Sequence, residues 1–170
     1  MVTGDGWAHR AVLLTAVLAV VAAAWCGVSW WRAAHDDGRE LGALRDEARA
    51  AGAQALVDVN TLDHREVEAA LDRWRDAATG ELRERFETNR ESDARAATAA
   101  KTATTATVVD SVVTKVDERA GTAELMAVLD LALRTDNGEP QARRSRVIAE
   151  LTRTADGWKL SAVQVLAKAG

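Results

Sequence analysis

Three observations predict an α+β protein with a membrane-crossing helix at its start. Ala11–Trp31 contains no charged residue. Residues 36–103 then carry apolar side chains at three- and four-residue spacing, the period of helices buried along one stripe. From Thr105 onward, Val- and Thr-rich runs alternate apolar with polar positions, the period of half-buried strands. Helices in series followed by strands in series pack as helices on one face of an antiparallel sheet. The 170 residues leave room for one such domain and a short appendage.

A bilayer core about 30 Å thick needs about 20 helical residues, and Ala11–Trp31 supplies 21. A cleaved secretory signal has a shorter apolar stretch, roughly 7–15 residues, and ends at a small-x-small site. Here the end reads "GVSWWRAAHDD", where two indoles crowd a peptidase that needs small residues. Trp7 on one flank and Trp30 and Trp31 on the other sit where amphipathic rings favour the headgroup region. Ala11–Trp31 is therefore read as a retained anchor, with Trp7, Trp30 and Trp31 at the membrane interfaces. In "AAAWC", bulky Trp25 precedes Cys26, which is unlike a lipoprotein site; Cys26 is read as a small apolar residue. Arg10 stands before the anchor and Arg32, Arg39 and Arg45 after it, so basic residues alone place the tail outside. The layout is a tail at 1–10, the anchor at 11–31, a linker at 32–38 and a domain at 39–170.

The first helix of that domain follows a break near Asp37-Gly38. Leu41, Leu44, Ala48, Ala51 and Ala55 form its apolar stripe. The next helical stretch begins at "TLDHREVE", where Thr61 or Asp63 can cap it and Glu66 follows Asp63 by three. Val67, Leu71, Trp74, Ala78, Leu82 and Phe86 mark its buried face. Thr79-Gly80 divides it in two, because Gly costs about 1 kcal/mol in a helix interior. A third short helix is expected over Asp93–Lys101.

About four strands follow. "TATVVDSVVTKVD" is rich in Val and Thr, and "AELMAVLDLALRT" places Leu125, Ala127, Leu129, Leu131 and Leu133 on one side. "RRSRVIAELTRT" sets Val147, Ala149 and Leu151 against Arg146, Ile148 and Glu150. "GWKLSAVQVL" follows the hairpin turn Ala155-Asp156-Gly157. Its phase shifts between Trp158/Leu160 and Val163/Val165, which predicts a bulge near Ser161-Ala162.

The net charge of −4 argues against a general nucleic-acid binder, which needs a basic face. A single cysteine excludes an intramolecular disulfide and a Cys-based zinc site. His9, His35 and His64 are not at ligand spacing, and neither a nucleophile-elbow motif nor a phosphate-cradling Gly loop occurs. Asp110 and Asp130 each interrupt an apolar strand; a carboxylate inside a concave sheet could serve as a base, whereas one outside pairs with an Arg such as Arg144 or Arg146. The outer placement is expected, since no second catalytic group accompanies either acid. Trp74 and Trp158 read as core residues, and Arg143, Arg144 and Arg146 as a solvated strand edge or a partner contact. No catalytic residue, cofactor or metal site is expected.

Taken together, the anchor, the run "LVDVNTLDHREVEAALDRWRDAATGELRERFE" from Leu56 to Glu87, the Val/Thr-rich strands and the closing "DGWKLS" resemble the actinobacterial Mce-associated membrane proteins. The resemblance covers nearly the whole chain. It implies an NTF2-like (SnoaL-like) domain, helices on a curved sheet, similar to the periplasmic domain of VirB8 secretion proteins. It implies a single-pass plasma-membrane protein with a cytoplasmic N-terminus and an extracytoplasmic domain. It further implies a non-enzymatic accessory subunit that stabilises an Mce-type lipid or sterol transport complex, with Mce proteins and the bilayer as partners. A homo-oligomer is compatible with this reading. The alternatives are a small-ligand binder or SnoaL-like enzyme using the concave pocket, and a VirB8-like secretion scaffold.

Overall fold

The structure, a computed structural model, describes the backbone of residues 5–135 and 139–166, and in its first helix the side chains of 20, 21, 23–27, 30 and 38 onward. The chain divides into two compact units, Met1–Gly42 and Ala43–Gly170. Helix α1 covers Asp5–Asn60. The expected break near Asp37-Gly38 is absent: both residues are helical. A single Gly among good helix formers costs only about 1 kcal/mol, which the flanking turns absorb. In the first unit Val20, Val21, Trp25 and Trp30 are exposed. Among the described residues no helix is long and apolar enough to cross a membrane; many side chains of 11–31, and those of Trp7, Trp31, His9 and His35, lie outside the description.

In the second unit the helices α2 (Val67–Ala77) and α3 (Gly80–Ala100) follow a two-residue strand β1 (Leu62–Asp63). The long strands are β2 (Thr102–Asp117), β3 (Thr122–Thr135), β4 (Gln141–Thr154) and β5 (Gly157–Leu166). They form one five-stranded antiparallel sheet in the order β1-β2-β3-β4-β5. The sequence pattern predicts four strands. The fifth, β1, is too short to show a period, and the expected caps of α2, Thr61 and Asp63, lie beside and within it. Leu62 and Asp63 pair with Thr104 and Ala103. The Thr61 hydroxyl accepts from the Ala106 N–H, and Asp63 Oδ1 accepts from the Arg65 N–H. Helix α2 is capped at Glu66 without a side-chain hydrogen bond.

Thr79-Gly80 does divide the helices, with Gly80 at positive φ. No separate helix occupies Asp93–Lys101. Helix α3 runs unbroken to Ala100 because "ESDARAATAA" contains no breaker, and Lys101 ends it in the left-handed region at φ 49°. The hairpin before β5 turns at Gly157, whose φ of 100° favours glycine. The expected bulge is present: Glu150 pairs with Ala162 and Leu151 with Leu160, leaving Ser161 as the extra residue. Two further register shifts, between Val108 and Asp110 and between Val113 and Lys115, bend β2.

The core lies between the sheet's inner face and the helices. Leu44, Ala48, Ala55 and Leu56 of α1, with Ala78 and Leu82, meet Leu125, Leu129, Ala149, Leu151, Trp158 and Leu160. Gly52 marks the closest approach of α1 to the sheet. A Cβ built there would stand 2.8 Å from Leu125 Cδ2 and 2.8 Å from Leu151 Cδ1. Trp158 is buried as expected, but Trp74 is only half-buried. Its ring lies 5.6 Å from that of Phe86, and its indole N–H donates to the Thr61 carbonyl at 3.3 Å, so it clamps α2 to α3 and to the residue before β1.

Candidate interaction surface

Strand alternation sorts the side chains of the sheet. On β3 and β4 the odd-numbered residues Ala123, Leu125, Ala127, Leu129, Val147, Ala149 and Leu151 are buried against the helices. The even-numbered residues form the outer face. Register assembles it in rows: Thr107–Asp130–Arg144, then Asp110–Val128–Arg146–Leu166, then Val112–Met126–Ile148–Gln164, then Lys115–Glu124–Glu150–Ala162. Val112 and Met126 are exposed, at 55% and 39%. The middle of this face is thus apolar and uncovered within the domain, and the rows beside it carry charge.

Both acids singled out in the sequence lie on this outer face, and neither points into the core. Asp130 is held by a bidentate pair: Arg144 Nε donates to Oδ1 at 2.6 Å and Nη2 to Oδ2 at 2.7 Å. The hydrogen bond from Arg144 keeps the Asp130 carboxyl below its ordinary value, and the same contact raises Arg144. A carboxylate so committed is a poor base. Asp110 is exposed and accepts from the Ser111 N–H at 2.8 Å. Glu124 is likewise lowered, first by the Thr114 hydroxyl and then by Lys115.

The arginine cluster is a solvated strand edge at Arg143 and Arg144 but not at Arg146, which is paired on both sides. β4 is an inner strand, paired with β3 along Gln141–Thr152. Among the described residues β5 reaches only as far as Arg146, so Arg143 and Arg144 pair on one side alone. Arg146 is exposed, and neither it nor Glu150 has an ion-pair partner among the described residues. His64 follows β1, where its backbone N–H donates to the Thr102 carbonyl at 3.2 Å. Its side chain lies 3.5 Å from the Asp63 carboxylate. Among the described residues no group of three or more His, Cys, Asp or Glu is placed to hold a metal ion.

Two of the open hollows on the sheet adjoin its charged rows. One, of about 510 Å³, is lined by Lys115, Asp117, Glu124, Glu150, Thr152 and Ser161. The other, of about 350 Å³, is lined by Thr105, Thr107, Asp130, Arg143 and Arg144. Sequence reasoning missed the outer apolar row. Its signal was present in the apolar residues Met126 and Ile148 at positions where alternation calls for polar ones, but only the register sets them side by side.

Helices on one face of a bent, five-stranded antiparallel sheet form a fold shared with solved domains of other proteins. An IcmL-like type IV secretion system protein of Legionella pneumophila superposes with a TM-score of 0.60 at 9% identity, over 72% of this chain and 91% of that one. The periplasmic domain of DotI gives 0.57 at 16% identity, over 69% and 91%. Agrobacterium tumefaciens VirB8 gives 0.54 at 11% identity, over 69% and 88%. At such identities the likeness is one of fold. No protein-family model and no curated protein matches the sequence.

Proposed function

We propose that the chain is a non-enzymatic scaffold subunit of a cell-envelope assembly, anchored by Ala11–Trp31 with its N-terminus cytoplasmic and its sheet domain outside the membrane. One observation carries the reading. The described domain matches nearly the full length of domains from type IV secretion proteins, one of them periplasmic. In this chain the domain follows an uncharged stretch of membrane-crossing length. The outer face supports it: apolar surface flanked by fixed charges suits docking to protein. In this reading the domain works as a VirB8-like scaffold, and tethering raises the concentration of partners so that each contact can be weak.

A second assembly is favoured by a different observation. Leu56–Glu87 resembles the Mce-associated membrane proteins, which points to an accessory role in an Mce-type lipid or sterol transport complex. Both assignments make the protein a scaffold and differ in what it holds. The ligand-binding alternative loses its proposed base, since Asp130 is committed to Arg144 and Asp110 faces solvent.

Purification of the tagged full chain from its native host in mild detergent, with mass spectrometry of what accompanies it, decides between them. Secretion-channel components support the first assignment, and Mce proteins with their permease support the second. A chain that arrives without envelope partners in several detergents refutes the scaffold reading. Release from membranes by alkaline carbonate refutes the anchor.

A further inference from the structure

We propose that the outer face of the sheet is a homodimer interface, in which two copies pack face to face about a two-fold axis running along the row Val112–Met126–Ile148. The charge pattern selects both the occupant and the axis. On β4, Arg146 and Glu150 stand two residues to either side of Ile148. Arg146 has no anion beside it: its row neighbours are Val128 and Leu166. Glu150 has no cation beside it and lies directly across from Glu124, which is already bound to Lys115 and Thr114. Like charges directly opposite on a sheet are unfavourable, so Glu150 lacks a counter-charge within its own copy.

A two-fold axis in the plane of the interface and perpendicular to the strands reverses the strand direction of the second copy. Ile148 then meets Ile148 and Met126 meets Met126. Arg146 of each copy falls over Glu150 of the other, and Asp110 falls over Lys115. An axis parallel to the strands sets carboxylate on carboxylate, Glu150 on Glu150 when it lies along β4 and Glu124 on Glu124 when it lies along β3, which repel. The face is self-complementary in the first arrangement, as an isologous contact requires. Four strands about 4.8 Å apart and about nine residues at about 3.3 Å outline roughly 600 Å² per copy, so the pair buries on the order of 1,200 Å², the lower end of specific interfaces. The flanking charges then decide whether it forms.

The test uses the full chain in detergent with Cys26→Ser as background. Ile148→Cys should form a disulfide-linked dimer on mild oxidation. A mixture of Arg146→Cys and Glu150→Cys chains should give mainly the mixed dimer. Without cysteines, Arg146→Glu or Glu150→Arg alone should weaken self-association about tenfold or more, and the double swap should return it to near the original value. Circular dichroism should be unchanged throughout, since both residues are exposed. Dominant Arg146→Cys self-linking, a monomeric parent chain in light scattering, or a double swap no better than the singles overturns the proposal.

Discussion

Replacing Gly52 by alanine separates helix propensity from packing. Alanine in a helix interior is favoured over glycine by about 1 kcal/mol, so a helix considered alone gains from the change. In the folded domain the new methyl would stand 2.8 Å from Leu125 Cδ2, 2.8 Å from Leu151 Cδ1 and 3.3 Å from Leu151 Cδ2. Both leucines are buried, at 0% and 1% exposure, so neither can swing aside into solvent. Inserting a methyl into such a core costs about 1–3 kcal/mol, and two contacts this short place the cost near the upper end. The net expectation is a loss of about 2 kcal/mol, or a Tm lowered by roughly 6–10 °C for a domain of this size. Thermal unfolding of the full chain followed by circular dichroism reads it directly. Gly42→Ala is the control: the same helix gains a methyl with nothing within 4 Å, and stability should hold or rise. Leu151→Val in the Gly52→Ala background should recover part of the loss, because it removes a methylene where the clash occurs. A Gly52→Ala protein as stable as the parent refutes the seating of α1 on the sheet at this point.

Truncating Trp158 to alanine should cost about 3–5 kcal/mol, whereas Trp74→Ala should cost less, since that ring is half-buried; urea denaturation ranks the two. Trp74→Phe should keep the contact with Phe86 and lose only the bond to the Thr61 carbonyl, about 1 kcal/mol by the same measurement. The Asp130 carboxyl, lowered by Arg144, contributes stability above its unfolded value, near 3.8, and that contribution fades as pH falls through the folded value. Carboxyl NMR titration should place Asp130 below 3.8, and Arg144→Ala should move its midpoint upward. Lys101→Gly should raise Tm slightly, because glycine occupies the left-handed region without a Cβ penalty, whereas Lys101→Val should lower it.

What could be read from the chain alone was whatever depends on period and on local turn chemistry. The α2/α3 division at Thr79-Gly80, the β4–β5 turn at Gly157 and the bulge at Ser161 each come from a few adjacent residues, and each stands where the pattern put it. The inner face of β3 and β4 was legible for the same reason, since alternation marks Leu125, Leu129, Val147 and Leu151 without knowledge of a partner. Failures came where structure is decided at a distance. Strand β1 exists only because Thr104 and Ala103, some forty residues on, offer it an edge. Trp74 looked like core by spacing, yet its ring packs on Phe86 and the Thr61 carbonyl and stays half-buried. Gly52 was one more small residue in an Ala-rich helix until Leu125 and Leu151 closed on it. Arg146 read only as part of a basic strand edge, and Glu150 as a polar alternate, until register placed an apolar row between them and a second carboxylate beside Glu150. Periodicity reports which side of an element is apolar, because burial acts on every residue separately. Which elements meet, and in what register, follows from long-range packing, and only the tertiary structure decides that.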